Sequence, residues 1–128
     1  MSRDAQITFP WADGDYTFRL GWGELEQLQE ACDAGPYAIL IRLQDDTWRV
    51  GDISHTIRLG LVGGGMKMTD ALLKVRKYVE ARPPTENLLF AQLILSAACV
   101  GAPEENVGEE GAPSPAEENG STISPTES

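Results

Sequence analysis

The chain has one histidine, two cysteines and no Lys or Arg in its last 28 residues. With His55 alone, no His-His or Cys-His metal set and no Ser-His-acid triad with an identifiable partner can be assembled. His55 also lies off the Ile53/Ile57/Leu61 stripe, so it reads as a surface residue. Cys32 and Cys99 each sit among apolar neighbours in expected helices and read as reduced core thiols, a disulfide being the lesser alternative. Long apolar runs are missing too. The most apolar window, Leu88 to Val100, spans 13 residues and is interrupted by Gln92 and Ser96, short of the roughly 20 that cross a bilayer. Met-Ser-Arg-Asp at the amino end leads into no apolar core or cleavage site, so the expected location is the cytoplasm. No internal repeat is visible, which argues against a solenoid or propeller.

Charge is unevenly spread. Residues 1–100 hold 13 Asp/Glu and all 10 Lys/Arg, a net of −3, whereas residues 101–128 hold seven Glu and no base. No basic patch remains to release counterions, so nucleic acid and an anionic membrane surface are poor partners. Residues 102–128 are rich in Pro, Glu, Ser and Gly, and Val107 and Ile123 are their only large aliphatic side chains. Ordering each backbone costs about 1–2 kcal/mol, so this acidic tail is expected to be disordered. The organisation is then a helical domain over 1–101 followed by the tail over 102–128.

Within 1–101 the pattern predicts a mainly α fold with an N-terminal β-hairpin. Ile7, Phe9 and Trp11, then Tyr16, Phe18 and Leu20, alternate with polar residues on either side of Ala12-Asp13-Gly14-Asp15. Two strands are marginal alone, so their aromatic face must lie on helices. Trp22, Leu25, Leu28 and Cys32 recur at helical spacing up to Gly35-Pro36, and Tyr37–Leu43 reads as a short helix opened by Pro36. Asp52 is a capping candidate for a helix through Ile53, Ile57 and Leu61 that ends at Gly63-Gly64-Gly65. Thr69 similarly precedes Leu72, Val75 and Val79, with Lys74, Arg76 and Lys77 turned outward and Pro83-Pro84 closing the segment. The last helix, about Glu86 to Val100, is apolar on nearly every side, as befits either a central core helix or a half-covered partner groove.

Several features imitate chemistry. Gly60–Thr69 suggests a phosphate loop, yet Met66 and Met68 break the G-x-x-x-x-G-K-[ST] spacing and no register gives G-x-G-x-x-G. The glycines read instead as a helix stop and hinge needing positive φ. Glu24/Glu26, Asp45/Asp46 and the Glu pairs of the tail lie in polar runs where nothing raises a pKa, so they read as solvated surface. Trp11, Trp22 and Trp48 read as core-closing rings. No cofactor or metal is implied, and the remaining resource is apolar helix surface suited to binding another protein.

The ordered set Trp22-x-x-Leu25-x-x-Leu28-Gln29-Glu30, Gly35-Pro36, Trp48, Ile57-Arg58-Leu59-Gly60-Leu61-Val62-Gly63-Gly64-Gly65 and a late Ala/Leu helix resembles the gene transfer agent family of small phage-type tail proteins, over about residues 5–101. The resemblance implies a non-enzymatic tail assembly chaperone. Such a protein coats the apolar helices of the tape measure protein, is displaced as the tail tube protein polymerises, and can form homo-oligomers along the rod. It also implies contact candidates at Leu61, Val62, Gly63, Gly64 and Gly65, and at Leu89, Leu93 and Val100. The tail lacks the apolar anchors of a tube recruiter and reads as a solvated spacer. Two rivals remain: a structural tail component (tube or joining subunit) retained in the particle, and a small nucleotide-dependent enzyme or regulator using the glycine stretch.

Overall fold

A computed structural model of the chain describes residues 5–101; the acidic tail expected over 102–128 lies outside them. The described chain is mainly helical with one antiparallel hairpin, β1 (Ile7–Trp11) and β2 (Gly14–Phe18), followed by α1 (Trp22–Cys32), α2 (Pro36–Gln44), α3 (Val50–Gly63), α4 (Met68–Val75) and α5 (Leu88–Val100). A π-helical turn over Arg76–Glu80 prolongs α4, and a 3-10 turn over Pro84–Asn87 leads into α5.

The hairpin registers Ile7 on Phe18, Phe9 on Tyr16 and Trp11 on Gly14. Its alternation therefore puts the aromatic residues on one side. Phe18 and Leu20 are buried, and Phe9 stacks on Phe18 at 4.7 Å and on Phe90 of α5 at 5.4 Å between ring centres. Trp11 meets Phe18 and Tyr78 edge-on, and its indole Nε1 donates to Asn87 Oδ1 at 2.8 Å. Asn87 in turn donates from Nδ2 to the Tyr78 carbonyl at 2.8 Å, so the buried amide is paired at both ends.

Helix α3 is the hub, with α1, α4, α5 and β2 all packed on it. Ile53, Ile57 and Leu61 recur at four-residue spacing and are buried, as expected of a core stripe. Asp52 sits one turn inside the helix and not at its cap. Its carboxylate accepts the Arg49 backbone N–H at 2.9 Å and both Nε and Nη2 of Arg42 at 2.9 and 2.6 Å. The sequence marked a capping carboxylate but placed the helix start three residues late. The same acid also ties α2 to α3. Helix α4 begins at Met68 with Lys67 as its cap residue, two positions before the expected cap, Thr69.

Two residues depart from expectation for geometric reasons. Trp22 is 82% exposed, not core-closing. At 3.6 residues per turn it points about 100° away from the line midway between Leu28 and Cys32, the two buried positions of α1, and it opens the helix. Lys74 turns inward onto the hairpin loop instead of outward, drawn by Asp13 at 3.0 Å.

Candidate interaction surface

The contact candidates separate into two places. The first is the carboxyl end of α3. Here Gly60 accepts the Arg19 N–H at 3.0 Å, tying strand to helix. A Cβ on Gly63 would lie 1.8 Å from the Arg19 carbonyl oxygen, and one on Gly64 would lie 2.0 Å from that of Thr17. These two glycines let the backbone of the hairpin come directly against the helix; only Gly65, at φ 116°, uses left-handed freedom. The expected hinge is thus a seat. Leu61 is 1% exposed and points inward, Val62 is half-buried against the core, and Gly65 is exposed. Leu61, Gly64 and Gly65 nevertheless border one groove of 370 Å³ with Tyr16, Met66 and Asp70.

The second place is the outer side of α5. Leu89 and Val100 are 60% and 65% exposed, and Leu93 between them is half-buried. Its inner side buries Ala91, Ile94, Leu95 and Ala97. Helix α5 is therefore both a core helix and a bearer of free apolar surface. Gln92, which interrupts its apolar run, donates from Nε2 to the Leu43 carbonyl at 2.7 Å, satisfying an end group of α2.

Exposed apolar side chains that pattern reading missed complete the surface: Trp22, Tyr37, Val50, Met68 and Leu73 are all more than half exposed. The signal for Trp22 was its angle on α1. For Leu73 it was its place opposite the buried Ala71 and Val75 of α4, whereas Met68, three residues before Ala71, shares their side and is exposed as the first residue of the helix.

The hairpin loop is locked by a polar cluster. Asp13 accepts from the Tyr16 hydroxyl, from Lys74 Nζ at 3.0 Å and from the Tyr78 hydroxyl at 3.3 Å. Lys74 lies 5.4 Å from the centre of the Tyr16 ring. The Tyr16 hydroxyl, with Lys74 second, holds the Asp13 carboxyl at about 2, below its ordinary 3.8. His55 is part-buried beside Arg58, whose Nη2 is 3.0 Å from Nδ1, and burial followed by the Arg58 charge lowers its pKa. Both thiols are free, and burial pushes Cys32 up to about 11. Among the described residues no three His, Cys, Asp or Glu side chains gather into a metal-binding group, and no helix is long and apolar enough to cross a membrane.

A family model described as "Phage tail tube protein, GTA-gp10" matches residues 4–101. The chain belongs to this family. The match ends where α5 gives way at Gly101, so it takes in the hairpin, the α3 hub and the apolar side of α5 together. Membership places the protein among phage and gene transfer agent tail proteins, and the family's description favours a structural tail component over a chaperone. No curated protein and no solved structure matches the chain.

Proposed function

We propose that this member of the tail tube family is a non-enzymatic structural component of a phage-type or gene transfer agent tail. It acts in the cytoplasm of the producing cell through contacts with other tail proteins. The observation that carries this reading is the family match across residues 4–101. The physics is compatible: a hairpin clamped to a helical hub offers a fixed shape, and its exposed Leu, Met and Trp side chains gain about 0.8 kcal/mol for every CH₂ a neighbour covers. Quantitative mass spectrometry of purified particles tests it. A structural component is recovered in fixed ratio to the major tail tube protein, and its absence from finished particles refutes the reading.

A second reading is supported by the strand content. Among the described residues the only sheet is the two-stranded hairpin, whereas ring-forming tube subunits are generally β-rich. The outer row of α5, Leu89, Leu93 and Val100, suits an apolar helix, and a tail assembly chaperone would use it to keep the tape measure protein soluble. Co-expression distinguishes this case. A chaperone converts an insoluble tape measure into a soluble complex and is missing from the particle, and Leu89→Asp with Val100→Asp abolishes the rescue.

A further inference from the structure

Two outward helix stripes on different elements carry matching chemistry. On α1, Trp22 is 82% exposed, and Glu26 and Glu30 follow at four-residue intervals, also exposed. On α4, Met68, Leu72 and Leu73 are 57%, 38% and 63% exposed, and Arg76 and Lys77 follow them, again exposed. Both stripes run from apolar at the amino end to charged at the carboxyl end, with opposite sign. Residues 21–33 contain four acids and no base, and residues 67–80 contain four bases against two acids. At about 1.5 Å per residue, Glu26 and Glu30 lie about 6 and 12 Å beyond Trp22, and Arg76 lies about 6 and 12 Å beyond Leu72 and Met68. Glu26, Glu30, Arg76 and Lys77 form no ion pair among the described residues. Helices α1 and α4 are both carried by α3, so each stripe rests on the same rigid hub.

We propose that a second copy of this chain covers α4, laying its α1 parallel to it so that Trp22 packs on Met68, Leu72 and Leu73 while Glu26 and Glu30 face Arg76 and Lys77. The occupant follows from charge complementarity. Pairing either stripe with itself leaves its charges without a counter-charge, whereas the other stripe supplies both the apolar and the ionic match at one spacing. The contact is heterologous. Each copy keeps one free α1 and one free α4, so association continues until it closes into a ring or grows as a filament. This holds whether or not the protein stays in the finished particle.

Sedimentation velocity of the full chain over a concentration series, at low and high salt, reads the contact. The wild type forms species larger than a monomer, and salt weakens them. Glu26→Lys with Glu30→Lys, and separately Arg76→Glu with Lys77→Glu, each weaken association by about tenfold to a hundredfold, because like charges then meet. All four positions are exposed, and unchanged circular dichroism and melting confirm the fold. Mixing the two reversed proteins restores association. A wild type that stays monomeric throughout, or association unmoved by either reversal, overturns the proposal. Loss on reversing Arg76 and Lys77 without loss on reversing Glu26 and Glu30 also overturns it, and assigns the basic stripe to the acidic carboxyl-terminal segment.

Discussion

Replacing Gly64 by Ala adds one methyl group and should displace the hairpin. The new Cβ would stand 2.0 Å from the Thr17 carbonyl oxygen, and ordinary contact begins at 3.4 Å, so strand and helix must part by more than an ångström. The neighbouring atom is backbone and cannot swing aside. Moving β2 disturbs the Arg19 N–H bond to Gly60 and the packing of Phe18 and Leu20 on α3. Overpacking of this kind costs about 1–3 kcal/mol, and at roughly 4–8 °C per kcal/mol for a domain of this size the melting midpoint falls by about 5–20 °C. Gly63→Ala behaves alike, its Cβ meeting Arg19 O at 1.8 Å. Gly23→Ala is the internal control. It lies in α1 with nothing within 4 Å of its Cβ, so the usual helix preference for Ala leaves stability unchanged or raises it by up to about 1 kcal/mol. Thermal melts by far-UV circular dichroism, with near-UV spectra reporting the Phe9, Trp11 and Phe18 cluster, compare the three. Should Gly64→Ala melt with the wild type while Gly23→Ala does the same, close approach of strand and helix is not what those glycines provide.

Arg42→Ala leaves Asp52, 1% exposed, without its ionic partner and should lose about 3–5 kcal/mol in urea titrations; a loss below about 1 kcal/mol would mean that Asp52 is satisfied otherwise. Thr56→Val should be neutral or stabilising by about 1 kcal/mol, since the Thr56 hydroxyl is buried with no hydrogen-bond partner, and marked destabilisation would reveal a partner such as a bound water. Asp13, held at about 2 against 3.8 when unfolded, contributes stability that is fully present above about 3.8 and disappears as the pH falls through about 2. Asp13→Asn should therefore flatten the pH dependence of the urea midpoint across that window, and an unchanged slope would place the acid-side loss elsewhere.

Local pattern was enough for most elements because each is governed by neighbours in sequence. The alternation from Ile7 to Leu20 dictates one aromatic side of a hairpin, and the four-residue spacing of Ile53, Ile57 and Leu61 dictates a buried helix stripe. Boundaries were less legible where a side chain caps from inside the helix, as Asp52 does through the Arg49 N–H. The stripe drawn from Trp22 to Cys32 failed at its first member, because a run of spacings of three and four drifts around the helix. Among the contact candidates, the exposure of Leu89 and Val100 follows from excess: α5 has more apolar residues than a single packed side can bury.

Composition and spacing by themselves determined that this is a mainly helical domain with an aromatic hairpin, and they left it without a metal set or a nucleotide loop, since those depend only on which residues exist and how far apart they stand. Tertiary structure alone decided what the glycines of α3 are for and which apolar side chains remain outside. A backbone contact between Gly64 and Thr17 joins residues 47 positions apart, and no local rule encodes it. Exposure, likewise, belongs to the packing of four helices and a ribbon around α3, where one side of each element is covered and whatever exceeds that coverage stays exposed.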